Sequence, residues 1–334
     1  MFTNTFVRKL LSVVIGTACF IAVGLVAGKA IGAPLVNALF VAAYVGLSIG
    51  LFEVFFVQSN AGNGFRALNP LLHTGLYGLF ILVIYVIGIV SVAWLVAPPE
   101  QAAAIYGRVP KSMPAVFAIT VVTVLVLRVV SFLGARNLWY LLIGRYHRPV
   151  FEKRAFLFID LKDSTHITEE LGAKRSREFI SRFLFDISKP ITDRRGDIYK
   201  YMGDGLIATW NWDEAIARAN VVEALRDAKA IIDQRGPAYQ REFGHCPEFR
   251  AGIHGGEVIV SKRGDLRRAI EYNGDNINIA ARMEQKAKDH ELFVVVSEAI
   301  ADELQAQEVP LARVGEETVK GISKPIGLYT LAEA

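Results

Sequence analysis

Apolar residues dominate the first third of the chain in long unbroken blocks, then give way to short runs separated by charged and polar turns. Leu10–Gly28 is 19 residues without a charge, long enough at 1.5 Å per helical residue to cross the hydrocarbon core of a bilayer. Ile31–Val57, Leu71–Val96 and Met113–Gly134 repeat the pattern. The expectation for residues 1–134 is four transmembrane helices. Arg8 and Lys9 ahead of the first block also suit a signal peptide, but the block is longer than a signal-peptide core and three more follow it, which favours a retained helix.

The second half alternates short strand-like and longer helix-like patterns. Ala155–Asp160 reads as a buried strand, Ser164–Lys189 as a helix and Asp197–Trp210 as a hairpin. A long helix follows over Asp213–Gln234, then a strand pair at Phe249–Ile253 and Glu257–Val260 around a glycine-rich turn, and a helix carrying Asn278. Phe293–Ser297 and Ile326–Leu331 are late strands. Strand and helix interleave throughout, which predicts an α/β domain of ferredoxin-like class over residues 155–334 behind an α-helical transmembrane domain. Residues 135–154 form the linker: Asn137–Ile143 continues a helix with Trp139 and Tyr140 at the interface, and Pro149 interrupts it.

Candidate chemistry begins where Phe156–Ile159 ends abruptly in Asp160. A second acid, Asp204, sits in a Gly-Asp-Gly turn of the kind that closes a tight hairpin. Each alone is more simply a cap or turn residue. Together, two carboxylates at element ends suit a hard divalent cation, which takes one or two carboxylates plus substrate phosphates. Two ions about 3.5–4 Å apart would activate an attacking oxygen and steady a leaving group. Lys162 to Thr165 open a helix, so the backbone N–H groups around Ser164 and Thr165 can bind phosphate. The chemistry indicated is phosphoryl transfer on a nucleotide.

Downstream, Gly274-Asp275 reads as a break and N-cap, after which Ile279 and Met283 face the core at helical spacing. Asn278 and Arg282 are also four apart and project from one helical face. An amide beside a guanidinium can hold a ribose oxygen and a phosphate; on any one helix such a pair is also ordinary solvated surface.

With these pieces in order, residues from about Arg145 onward resemble a class III nucleotidyl cyclase catalytic domain of the membrane-anchored bacterial type. The matching segments are Phe158-Ile159-Asp160-Leu161 with Ser164-Thr165, Lys200 through Gly205, Gly252-Ile253-His254-Gly255-Gly256, Gly274-Asp275 with Asn278 and Arg282, and Val319-Lys320-Gly321. The resemblance implies a ferredoxin-like unit acting as a head-to-tail homodimer with both active sites at the interface. It implies that Asp160 and Asp204, helped by the Leu161 carbonyl, hold two Mg²⁺ or Mn²⁺. Asn278 and Arg282 of the facing protomer then orient the ribose and stabilise transition-state charge, and Lys320 binds phosphate. Lys200 matches a lysine that donates to purine N1 in adenylate-forming members, and its usual partner position, seven residues before the helix Asn, is Glu271. A carboxylate there can accept from the adenine amino group. The implied reaction is attack of the ribose 3′-oxygen of ATP on its α-phosphorus, giving 3′,5′-cyclic AMP and pyrophosphate. Guanylate cyclase is the less favoured alternative, since guanine-selective members tend to carry Glu and Cys-like residues at the two positions, where this chain has Lys200 and Glu271. A membrane receptor with a weakly active or inactive cyclase-like nucleotide-binding module is another.

No side chain stands out as a general base. His166 is more simply a first-turn helix residue, and His254 a structural one.

Composition adds the context. The chain is 52% hydrophobic with a formal charge of +4, and Arg136, Arg145, Arg148, Lys153 and Arg154 cluster just after the fourth block. With Arg8, Lys9 and Arg66 they outweigh Lys29, Arg108 and Lys111, which places the catalytic domain in the cytosol beneath the inner membrane by the positive-inside rule. Attraction to anionic lipid accounts for the cluster, and no stripe of alternating aromatic and basic residues suits nucleic acid. Cys19 and Cys246 lie in different compartments and cannot pair. Glu53, His73 and Arg128 are the ionisable residues within the blocks, where charge is costly and often functional; an unknown membrane or small-molecule signal could act there. A transporter is disfavoured, because the blocks show no inverted repeat or broken helix.

Overall fold

The computed structural model describes residues 2–30, 32–57, 62–66, 68–95, 148–263, 269–318 and 325–332, with isolated positions between 107 and 145. The chain divides into two compact units, Met1–Trp139 and Tyr140–Ala334. The expected span Met113–Gly134, with Arg128, and the loop bearing Lys320 lie outside the described residues.

In the first unit, α1 (Phe2–Ala30), α2 (Leu35–Leu51), the short α3 (Asn63–Arg66) and α4 (Pro70–Leu95) succeed one another. Among the described residues three stretches, Val13–Ala30, Leu35–Val57 and Leu72–Leu95, are long and apolar enough to cross a membrane. α1 and α2 approach closely through small residues: a Cβ on Gly28 would lie 2.5 Å from Ala38 Cβ, and one on Gly24 would overlap Ala42, the packing helices use where lipid removes the hydrophobic drive between them. α2 loosens into a π-helical turn, Phe52–Val57. There Tyr77 of α4 donates to Glu53 at 3.0 Å, so the acid expected to stand out in this block has a hydrogen-bonding partner. Phe52, Phe56, Phe65, Tyr77 and Phe80 pack ring on ring beside it, and His73 lies 4.5 Å from Phe65.

The second unit is a mixed sheet with helices on both faces. Its elements are β1 (Val150–Leu161), α5 (Ser164–Asp193), β2 (Asp197–Met202), β3 (Gly205–Asn211), α6 (Trp212–Ile216), α7 (Asn220–Phe243), β4 (Phe249–Arg263), β5 (Ala269–Asn273), α8 (Asp275–Asp289), β6 (Val294–Ser297), α9 (Glu298–Gln305), β7 (Leu311–Glu317) and β8 (Ile326–Leu331). The order β2-β3-β1-β4 is antiparallel throughout, and with α5 and α7 as the two crossovers it is the expected ferredoxin-like βαββαβ core. β4 then pairs in parallel with β6 and, through its far half, with β5.

Alternation along β1 sorts the two faces. Ala155, Leu157, Ile159 and Leu161 point into a core with Phe179, Phe183 and Ile187 of α5 and Leu225, Ala228 and Ile232 of α7. Phe156 and Phe158 point the other way, with Ile207, Val258, Tyr272 and Ala280, and Asp160 continues that second register. α8 covers part of this second face, seating Ile279, Met283 and Ala287 on Val295 and Leu328.

Three sequence expectations are corrected. β1 starts at Val150, five residues before the expected strand, and Val150–Arg154 pairs with Gly256–Val260. Its charges hid it: Arg154 is fully buried, bonding Glu152 at 2.7 Å. The strand pair at Phe249–Ile253 and Glu257–Val260 is one continuous β4 of 15 residues. Gly255 and Gly256 do not break it; they make room for the Trp212 ring and the Asn276 side chain, 2.5 Å from where a Gly256 Cβ would stand. The helix expected over Asp213–Gln234 breaks at Arg218 and Ala219, both at positive φ, and α7 runs on through Pro237 to Phe243. Burial of Tyr239 and Phe243 against Phe179 outweighs the backbone bond that Pro237 forfeits.

Candidate active site

Asp160 stands at the end of β1, where the strand leaves the sheet. Opposite it in the β1–β4 ladder is Arg250, and directly opposed residues of an antiparallel pair share a face. The chain then turns sharply: Lys162 donates its backbone N–H to the Glu248 carbonyl at 2.8 Å, and Asp163 takes a left-handed conformation, φ 53°, ahead of α5. Ser164 and Thr165 therefore begin a helix three residues after Asp160's neighbour Leu161, and no side chain caps that start. Its first backbone N–H groups remain available to an anion. His166 pairs with Glu170 at 3.1 Å, and His245 reaches the same carboxylate at 2.8 Å.

Asp204 is the second residue of the two-residue loop that joins β2 to β3, since Met202 pairs with Gly205. Gly203 supplies positive φ at the first loop position, 64°, the pattern of a type II′ hairpin. Gly205 sets the approach: a Cβ there would collide with the Ile159 carbonyl and lie 3.2 Å from Asp160 Oδ1. The hairpin is thus laid directly on the end of β1. The two carboxylates feel one another, because burial first and Asp204 second push Asp160 above the usual carboxylate range, while Lys288 and Arg250 pull it down.

Glu284 joins the same cluster. Burial and the charges of Asp160 and Asp204 raise its carboxyl, and Lys288 and Arg250 oppose them. α8 brings it there because Gly252 lets the helix sit on bare strand: a Cβ on Gly252 would overlap the Glu284 backbone nitrogen. Among the described residues no three His, Cys, Asp or Glu side chains form a metal-holding group. The protein offers two neighbouring acids rather than a cage. That donor set, crowded and like-charged beside open helix N–H groups, fits a hard divalent cation sharing its shell with phosphate.

Asn278 is exposed and Arg282 half-buried on α8. At 100° per residue Arg282 stands about 200° around the helix from Glu284, whereas Lys288 stands within about 40° of it. α8 thus turns one flank, Glu284 and Lys288, toward Asp160 and a different flank, Asn278 and Arg282, away. Lys200 is exposed on β2 and follows a bulge. Its neighbour Tyr199 packs edge to face on Tyr272 at 4.8 Å, so β2 meets β5, where Glu271 lies opposite Ser261. The structure brings together the strands of Lys200 and Glu271, and separately Asp160 with Asp204.

Residues 147–333 match the family described as the adenylate and guanylate cyclase catalytic domain. The chain belongs to that cyclase family. Adenylate cyclase 2 of Rhizobium meliloti is 32% identical over 209 residues, 62% of this chain and 58% of that protein. Adenylate cyclase 1 of the same organism is 31% identical over 180 residues, 52% of this chain and 26% of the relative; this chain thus spans little more than half of the first relative and about a quarter of the second. A bacterial light-regulated adenylyl cyclase shares the fold at a TM-score of 0.58 and 20% identity, covering 67% of this chain and 66% of that one.

His254 takes the structural place expected of it. The charged residues around Asp160 that sequence reasoning missed are Arg250, Glu284 and Lys288. The i, i+4 spacing of Glu284 and Lys288 was a visible signal, but nothing in it pointed across to β1.

Proposed function

We propose that this chain is a membrane-bound adenylate cyclase that converts ATP to 3′,5′-cyclic AMP and pyrophosphate at sites shared between two copies. The observation that carries the reading is the split on α8. Asp160 and Asp204 lie together on one side, while Asn278 and Arg282 leave on another flank, so a second copy is needed to complete a site.

Asp160 and Asp204, with the Leu161 carbonyl, would hold two Mg²⁺ or Mn²⁺, which supply charge neutralisation for the triphosphate and lower the pKa of the attacking hydroxyl. The N–H groups at Ser164 and Thr165 cradle phosphate oxygens, and Lys320 adds a cation to them. Asn278 orients the ribose so that its 3′-oxygen lies in line with the α-phosphorus. Arg282 stabilises charge on the equatorial oxygens. The O3′–Pα bond forms, the Pα–O bond to pyrophosphate breaks, and the hydroxyl proton passes to solvent. Lys200 donates to adenine N1 and Glu271 accepts from its amino group. Residues 1–134 anchor the enzyme in the inner membrane as a multi-pass domain, with residues 135–149 coupling it to a cytoplasmic catalytic domain that begins with β1 at Val150, through which a membrane signal would act.

The test is cyclic-nucleotide production by the full-length protein in membranes, with ATP or GTP offered separately and Mg²⁺ or Mn²⁺ supplied. Cyclic AMP from ATP alone is expected. Cyclic GMP would keep the fold and reverse the base assignment, and absence of both products would favour a receptor with a silent module.

A further inference from the structure

Arg154 is the only buried arginine or lysine among the described residues. It belongs to the β1 register that carries Phe156 toward Tyr272 and Val258, away from α5 and α7. Glu152, two residues back on the same face, accepts from its Nε at 2.9 Å and from its Nη2 at 2.7 Å. The other Glu152 oxygen accepts from Arg145 at 3.1 Å, so this carboxylate stays paired if Arg154 is replaced. An apolar side chain would fill the position with a smaller desolvation penalty. What the guanidinium adds is a hold on Tyr272.

The guanidinium carbon stands over the Tyr272 ring, 5.3 Å from its centroid, in range of an attraction between cation and aromatic face that strengthens where water is excluded. Two more rings meet Tyr272 edge to face, Phe156 at 5.6 Å and Tyr199 at 4.8 Å. Tyr272 follows Glu271 on β5, and Tyr199 precedes Lys200 on β2. The β2–β3 ladder steps from Ile198–Ala208 to Lys200–Ile207 and skips Tyr199, a bulge of the kind that re-aims a neighbouring side chain. Each residue proposed to read the base therefore adjoins a ring, and the two rings touch.

We infer that Arg154 is a positioning residue for base recognition: anchored by Glu152, it holds the Tyr272 ring and, through Tyr199, the β2 bulge, so that Lys200 and Glu271 keep one spacing. Adenine N1 and the 6-amino group are neighbours on one edge of the purine, and a donor and an acceptor read them together only at a set separation. The inference rests on the reading of Lys200 and Glu271 as the adenine contacts.

The test is equilibrium binding of ATP and of GTP to the purified full-length protein with Mn²⁺, each measured by displacement of a fluorescent ATP analogue. The readout is the ratio of the two dissociation constants, because a merely structural defect weakens both nucleotides alike. Arg154→Met should reduce the preference for ATP by about tenfold, as both base contacts lose their spacing, while GTP binding holds within about threefold. Its thermal midpoint should stay close to that of wild type, since an apolar side chain replaces a buried cation and Glu152 keeps Arg145. Tyr272→Leu should give the same loss of preference, and this arm stands even if Arg154→Met does not fold. The double variant should lose no more than about threefold beyond either single variant, because both lesions break one contact. Lys200→Ala, which removes a base contact outright, separates the inference from the base assignment. A ratio that collapses in Lys200→Ala but is unchanged in Arg154→Met, or losses that multiply in the double variant, overturn only this inference. An unchanged ratio in Lys200→Ala, or a wild type that does not favour ATP, overturns the base assignment and the inference with it. The expected ratios in every variant, with no cyclic nucleotide made by the wild type, uphold the inference and sink only the catalytic reading.

Discussion

His254 of β4 and Asn276 in the first turn of α8 are joined by a 2.9 Å hydrogen bond whose polarity is fixed. Asn276 Nδ2 donates to the Glu257 carbonyl at 2.6 Å, so its Oδ1 is the atom that faces the imidazole. His254 Nε2 must therefore carry the proton, and Nδ1 accepts from the Ser297 hydroxyl at 2.6 Å. Gly256 leaves the space that Asn276 fills. The lock sets where α8 begins, and with it Asn278 two residues on.

This lock gives a pH dependence. Burial holds the His254 pKa below its ordinary 6.5, so the folded protein keeps the ring neutral while the unfolded chain takes up a proton. The contribution of His254 is fully present above about pH 6.5 and is lost as pH falls from there toward the depressed folded value. The thermal midpoint of the wild type should drop between pH 7 and 5 more steeply than that of His254→Gln. Parallel curves would remove His254 as the linked group.

The two glycines that flank Asp204 should respond differently. At Gly203 a Cβ meets open space and only the positive φ resists it, so Gly203→Asn should cost about 1–3 kcal/mol of backbone strain yet leave the hairpin seated on β1 and kcat within about threefold of wild type. At Gly205 the Cβ collides with the Ile159 carbonyl. Gly205→Ala should lift the hairpin, cost about 1–3 kcal/mol and reduce kcat about a hundredfold by moving Asp204 off Asp160. Equal activities in the two variants would show that hairpin contact does not set the geometry.

The residues legible in sequence were those at the ends of strongly patterned elements. Asp160 closes an apolar run, Asp204 sits in a two-residue turn, and Asn278 and Arg282 follow a clear N-cap, so local chemistry announces them. What stayed hidden depends on contacts across the sheet. Arg154 reads as a linker charge until Glu152 and the Tyr272 ring, 5.3 Å away, are seen around it. Gly255-Gly256 reads as a turn until Trp212 and Asn276 are found in its place. Arg250 and Glu284 are 34 positions apart in sequence and acquire meaning only when Gly252 admits α8.

The helical layer has its own buried charge. The Asp186 side chain of α5 is 1% exposed and is paired with Arg235 of α7, and Tyr239 donates to it at 2.9 Å. Asp186→Ala would strand the buried Tyr239 hydroxyl and the Arg235 guanidinium, costing about 3 kcal/mol. The site lies on the opposite face of the sheet, so chemical denaturation should show a lower midpoint while specific activity of the folded fraction holds within about twofold of wild type. A matching loss of specific activity would mean that α5 and α7 transmit strain to Asp160.

The decisive prediction concerns the two flanks of α8. On the proposed reading Asp160→Ala removes a ligand acid and Arg282→Ala removes charge stabilisation, and each alone should lower cyclic AMP production by about a hundredfold or more. Under the shared-site reading the two lesions fall in different half-sites of one dimer. Of the two sites in a mixed dimer, one then carries both lesions and the other carries neither. Co-expressed Asp160→Ala and Arg282→Ala chains should recover about a quarter of wild-type activity if subunits pair at random, since half of the dimers are mixed and each has one intact site of two. The yield of mixed dimers can be read independently by differential tagging and pull-down. Mixed dimers that form in that proportion yet stay inactive would place all the catalytic groups on one chain, and the geometric separation of Arg282 from Glu284 around α8 would then have to be closed by movement within a single protomer.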